Sequence, residues 1–76
     1  MNKTRRAQVS EAMTHIENAK GILESVRDCE SDAMENLPES LQESEMYERM
    51  EEAVEAVESA MDYLDMAFEE LDTVVT

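Results

Sequence analysis

Residues 53–73 repeat one seven-residue phrase three times: AVEAVES, AMDYLDM, AFEELDT. Each begins with Ala and a large apolar residue, then an acid, and carries a second large apolar residue at its fifth position. A seven-residue apolar period keeps the same residues on one side of an α-helix and cannot sit still in a strand, whose period is two. The phrase therefore predicts a long amphipathic helix and constrains the rest of the chain to supply something for it to pack against.

The remaining residues supply it in kind. The chain of 76 residues has a single Gly, a single Pro and no Trp, and is rich in Ala, Glu and Met, which favour helix. An apolar share of 42% is too high for an acidic disordered tail. The only break is ENLPESLQES. Leu37, preceding Pro38, is pushed towards extended backbone, so a first helix over about 4–35 is expected to stop near Asn36. A corner over 37–44 follows, expected to hold a short helical turn over about 38–43 that Pro38 can begin, with Ser40 and Glu43 at capping-box spacing. A second helix is expected over about 45–74. The predicted fold is all-α: one domain, 1–76, made of an antiparallel two-helix hairpin.

Both helices are expected to show a bulky column beside an alanine column. In the first these are Val9, Ile16, Leu23, Glu30 and Leu37 beside Ala12, Ala19, Val26 and Ala33. In the second they are Met50, Val57, Leu64 and Leu71 beside Met46, Ala53, Ala60, Ala67 and Val74. Alanine rows let two helix backbones approach closely, at or below the usual ~8–10 Å, so the seam is expected along them. A third apolar column is then left over: Tyr47, Val54, Met61, Phe68 and Val75, with a partial counterpart in Met13, Ile22, Cys29 and Met34. At roughly 1.5–3 kcal/mol per large side chain, the second-helix set alone is worth on the order of 10 kcal/mol of burial. The expected partner is a second copy, giving a four-helix bundle with two-fold symmetry. The residues expected to drive self-association are Val54, Met61, Phe68, Leu64 and Leu71, with Ala53, Ala60 and Ala67 allowing close approach.

Charge is the second constraint. The net charge is −14. It is lopsided: the cations Lys3, Arg5, Arg6, Lys20 and Arg27 lie in the first 27 residues, and Arg49 alone offsets the acids beyond them. Such a body repels nucleic acid and anionic membrane, so a charged partner is expected to be a basic protein surface. Glu55, Glu58, Asp62, Asp65, Glu69 and Asp72 recur every three or four residues, on a face expected to lie opposite the core. Their spacing, ~5 Å along the axis, compares with ~3.4 Å per phosphate of one DNA strand. The stripe reads as a solvated surface or as an imitation of a nucleic-acid backbone. The basic start, NKTRR, is expected to lie beside Glu69, Glu70 and Asp72 at the negative end of the second helix.

Chemistry that would make an enzyme is not found, and no cofactor is expected. The only His, His15, stands four residues after Glu11 rather than in the Glu-x-x-His spacing of bundle metal sites. Glu30 is the only acid in the inward columns. Cys29 has no acid–base partner at a fixed spacing, and a single cysteine fits a reducing, cytoplasmic setting. No apolar run follows the basic start and none is long enough to span a membrane.

The basic NKTRR start, the NLPESLQES corner and the acidic heptads together resemble short acidic helical proteins of Firmicutes, their phages and mobile elements. The resemblance covers most of the chain. It implies a genomic setting and an accessory or host-takeover role rather than a mechanism. Three functional readings follow: a self-associating interaction module, an acidic inhibitor of a DNA- or RNA-processing enzyme, and an antitoxin or antiactivator whose hairpin pairs with a partner helix.

Overall fold

The computed structural model describes residues 1–76 as two long helices and one short turn, with no strand. Helix α1 spans Lys3–Glu35, a 3-10 turn spans Glu39–Leu41, and helix α2 spans Glu45–Val75. At 1.5 Å per residue each long helix is about 50 Å long. The molecule measures 59 × 15 × 13 Å. Laid end to end the helices would far exceed that length, so α2 runs back alongside α1.

Local chemistry sets the ends. The side chain of Asn2 accepts a hydrogen bond from the backbone N–H of Arg5 at 2.8 Å, opening α1. Pro38 takes extended backbone (φ −55°, ψ 145°) and cannot continue the helix. The turn closes with the Leu41 N–H donating to the Pro38 carbonyl at 2.8 Å, and Gln42 Nε2 donates to the Leu37 carbonyl at 3.1 Å. Ser44 caps α2, which starts at Glu45 as expected: its hydroxyl oxygen accepts from the Tyr47 N–H at 3.3 Å. The short helical corner expected over about 38–43 is present as the 3-10 turn Glu39–Leu41, and Ser40 lies inside it. Glu45 and Glu48 then fall in the first turn of α2, where the helix dipole favours them.

The seam between the helices departs from expectation. On α1 the covered positions include Val9, Met13, Ile16, Lys20, Leu23, Arg27, Glu30, Met34 and Leu37, in alternating steps of four and three. On α2 they include Tyr47, Met50, Val54, Val57, Met61, Leu64, Phe68, Leu71 and Val75. The bulky columns are in the seam as expected. Their partners are the third column of α2 and the Met13–Lys20–Arg27–Met34 column of α1, not the alanines. Ala12, Ala33 and Ala53 are exposed, while Ala19, Ala60 and Ala67 are half-buried at the seam's edge.

Two physical terms turn the helices this way. A column of Tyr, Val, Met and Phe removes far more apolar area from water than a column of Ala. Lys20 and Arg27 lie along the seam on their aliphatic stems while their charged heads reach the edge. Each keeps about a third of its side chain exposed, at 32% and 31%. The counterpart expected on α1 splits accordingly. Met13 and Met34 are the only buried residues, whereas Ile22 and Cys29 face outward.

A two-sided hairpin as the candidate interaction site

The rotation of the seam gives the hairpin two unlike flanks. On one flank lie Glu17, Glu24, Asp28 and Glu35 of α1 and Glu48, Glu51, Glu55, Glu58, Asp62, Asp65, Glu69 and Asp72 of α2, most of the chain's twenty acids. The six carboxylates Glu55, Glu58, Asp62, Asp65, Glu69 and Asp72 are all exposed. They border the seam rather than standing opposite it, because the seam has moved one column towards them.

The acidic flank is not uniformly solvent-facing carboxylate. Lys20 Nζ pairs with Asp65 across the helices. That hydrogen bond, with the charges of Asp65, Glu17 and Glu24, raises the Lys20 pKa above its ordinary 10.5 against the opposing effect of burial. Arg27 bonds Asp28 at 3.1 Å and lies 4.0 Å from Glu24. Two shallow grooves open between these charges. One, of about 380 Å³, includes Met34, Tyr47 and Val54 with Glu35, Glu51, Glu55 and Glu58 around them. The other, near the opposite end, includes Met13, Phe68 and Val75 with Ser10, Thr14 and Glu17. Val54 and Phe68, expected for self-association, thus lie against α1 of their own chain, and Met61 is half-buried in the same column.

The other flank carries both alanine columns: Ala12, Ala19, Val26 and Ala33 on α1, and Met46, Ala53, Ala60, Ala67 and Val74 on α2. The next column outward holds Gln8, His15, Ile22 and Cys29 on α1 and Arg49, Ala56, Tyr63 and Glu70 on α2. Among these residues Glu70 is the only acid. Ile22, Val26, Met46 and Tyr63 are among the large apolar side chains left open to water, Ile22 at 65% and Tyr63 at 68%. A shallow depression beside Val26, Cys29 and Glu30 marks the same side of α1.

Charge at the ends also differs from expectation. The register that joins Lys20 to Asp65 and sets Val75 near Ser10 and Met13 leaves Lys3, Arg5 and Arg6 beyond the level of α2. All three are exposed, and none forms an ion pair with Glu69, Glu70 or Asp72. They occupy the first turns of α1, where the helix dipole disfavours cations.

The remaining candidate residues do not converge on one site. His15 lies 3.8 Å from Glu11, with both side chains exposed. Cys29 is exposed and Glu30 half-buried. No group of three His, Cys, Asp or Glu side chains is placed to hold a metal ion, and no helix is long and apolar enough to cross a membrane. Sequence reading missed the roles of Lys20 and Arg27. Their signal was present in the unbroken four–three spacing that runs through both from Val9 to Leu37. No known family matches the chain, and neither a curated protein nor a solved structure matches it.

Proposed function

We propose that the chain is a non-enzymatic protein–protein interaction module that acts as a self-associating helical hairpin, assembling into a homodimeric four-helix bundle. One observation carries this reading: of 76 residues only Met13 and Met34 are buried, although 42% are apolar. A hairpin with so little enclosed surface gains stability by covering an apolar side with another chain. Sedimentation of the chain at micromolar concentration tests it; the expected mass is that of two copies, and a fully helical monomer overturns the reading. A setting in phages or mobile elements of Firmicutes belongs to the same proposal and rests on the corner and heptad resemblance.

The collection of acids on one flank supports a second reading, an acidic inhibitor that imitates nucleic acid towards a basic enzyme cleft. It predicts binding to such an enzyme that weakens with salt. Glu55→Lys, Asp62→Lys and Glu69→Lys together should abolish that binding and preserve the helices. Binding that survives the triple reversal removes this reading.

A further inference from the structure

The geometry points to the acid-poor flank as the surface on which a second copy docks, with the two hairpins running in opposite directions about a two-fold axis perpendicular to their length. This rests on the self-association proposed above and specifies its face and direction.

Charge selects the face. Two chains of net charge −14 repel wherever their acids meet. The flank of Ala19, Ala60 and Ala67, with Ile22, Val26 and Tyr63, is where two copies meet with the fewest carboxylates between them, the exposed Glu70 and the half-buried Glu30. Docking there leaves both acidic flanks pointing away from the junction, one on each side of the dimer. Size agrees. A side 59 Å long and 15 Å wide offers about 900 Å² per copy, or about 1,800 Å² for two, within the 1,200–2,000 Å² that specific interfaces bury. The alanines let the backbones come close, and the exposed large side chains fill the space at the edges.

The ends select the direction. Lys3, Arg5 and Arg6 project unpaired at one end of the rod, while Glu39, Glu43 and Glu45 gather at the corner at the other. Opposed hairpins place each basic end beside the partner's acidic corner. Hairpins side by side in the same direction would bring the basic ends together and the acidic corners together.

Sedimentation and spin-label distances test both parts. Ile22→Glu and Tyr63→Glu change side chains that are open to water in the single hairpin. Each is expected to weaken the dimer by about tenfold or more, because it puts a carboxylate into an apolar junction. Thr14→Glu adds the same charge on the acidic flank and is expected to leave the dimer intact. A spin label at Thr4→Cys in a Cys29→Ser chain should report its twin about 45 Å away, from 1.5 Å per residue along opposed rods. Arg5→Glu with Arg6→Glu should weaken the dimer, and adding Glu39→Lys with Glu43→Lys should restore it. A wild-type monomer overturns self-association and this face together. A dimer that tolerates Ile22→Glu and Tyr63→Glu, or that loses as much to Thr14→Glu, overturns the face alone. Labels within about 20 Å of each other, one bundle width, overturn the direction.

Discussion

The two flanks are built on the same helices, and each stands beside one column of the same seam, yet they solve opposite problems. The acidic flank borders the column of Tyr47, Val54, Met61 and Phe68 and crowds carboxylates from both helices against it. Only Lys20 and Arg27 relieve the repulsion. The alanine flank borders the bulky column of Met50, Val57, Leu64 and Leu71 and carries almost no charge. One side therefore favours solvent or a basic partner, and the other favours contact with something equally smooth. A single rotation of the seam, by one column, creates the contrast. Had the alanines formed the seam, the acids would stand opposite it and the third apolar column would lie bare.

The largest loss should follow removal of the side chain that holds the seam in its rotated position. Phe68→Ala is expected to cost about 2 kcal/mol, roughly half the loss for a fully buried ring because Phe68 is only half-buried. Thermal unfolding followed by circular dichroism measures it; a loss indistinguishable from that of Ala53→Gly would place the seam elsewhere. Next in size is the electrostatic difference. Raising salt should increase the melting temperature by screening the crowded carboxylates. Glu58→Gln with Asp62→Gln should flatten that dependence, whereas Glu70→Gln on the other flank should leave it unchanged. Equal effects from the two flanks would mean that the acids act only through total charge.

A smaller change touches the acidic side alone. Gly21 lies in the middle of α1 on that flank, with nothing within 4 Å of where a Cβ would stand. Gly21→Ala should stabilise the chain by about 0.5–1 kcal/mol, the helix-propensity difference; a loss of stability would reveal a neighbour at that position.

Lys20 contributes least of these. Its pKa is raised in the folded chain, so the pair with Asp65 stabilises folding below about pH 10.5 and loses that contribution as pH rises through the raised value. Wild type and Lys20→Gln should therefore differ most near neutral pH and converge in strong alkali. Melting curves across that range check the sign. Divergence with rising pH would contradict the pairing.

Much of this was legible in the residues. The seven-residue phrase, the lone proline and the shortage of glycine specify two long helices and one corner to within a residue or two. Those are local properties, decided by periodicity and backbone constraints. The cap itself was less legible: the spacing of Ser40 and Glu43 drew attention to the corner, whereas Ser44 caps α2. Lys20 and Arg27 were read only as cations, with no place in the seam, for a different reason. A cation in an apolar column looks like a surface residue when only its charge is weighed, but its long stem packs like a methionine.

By itself the order of residues determined which side chains share a column on each helix, because an α-helix advances about 100° per residue whatever surrounds it. It did not determine which columns meet. Each helix is free to turn about its own axis until another surface stops it, and that choice weighs the area of Phe68 and Met61 against the closeness that alanines permit. Only packing one helix on the other decided it, and with it which flank holds the acids and which is left bare.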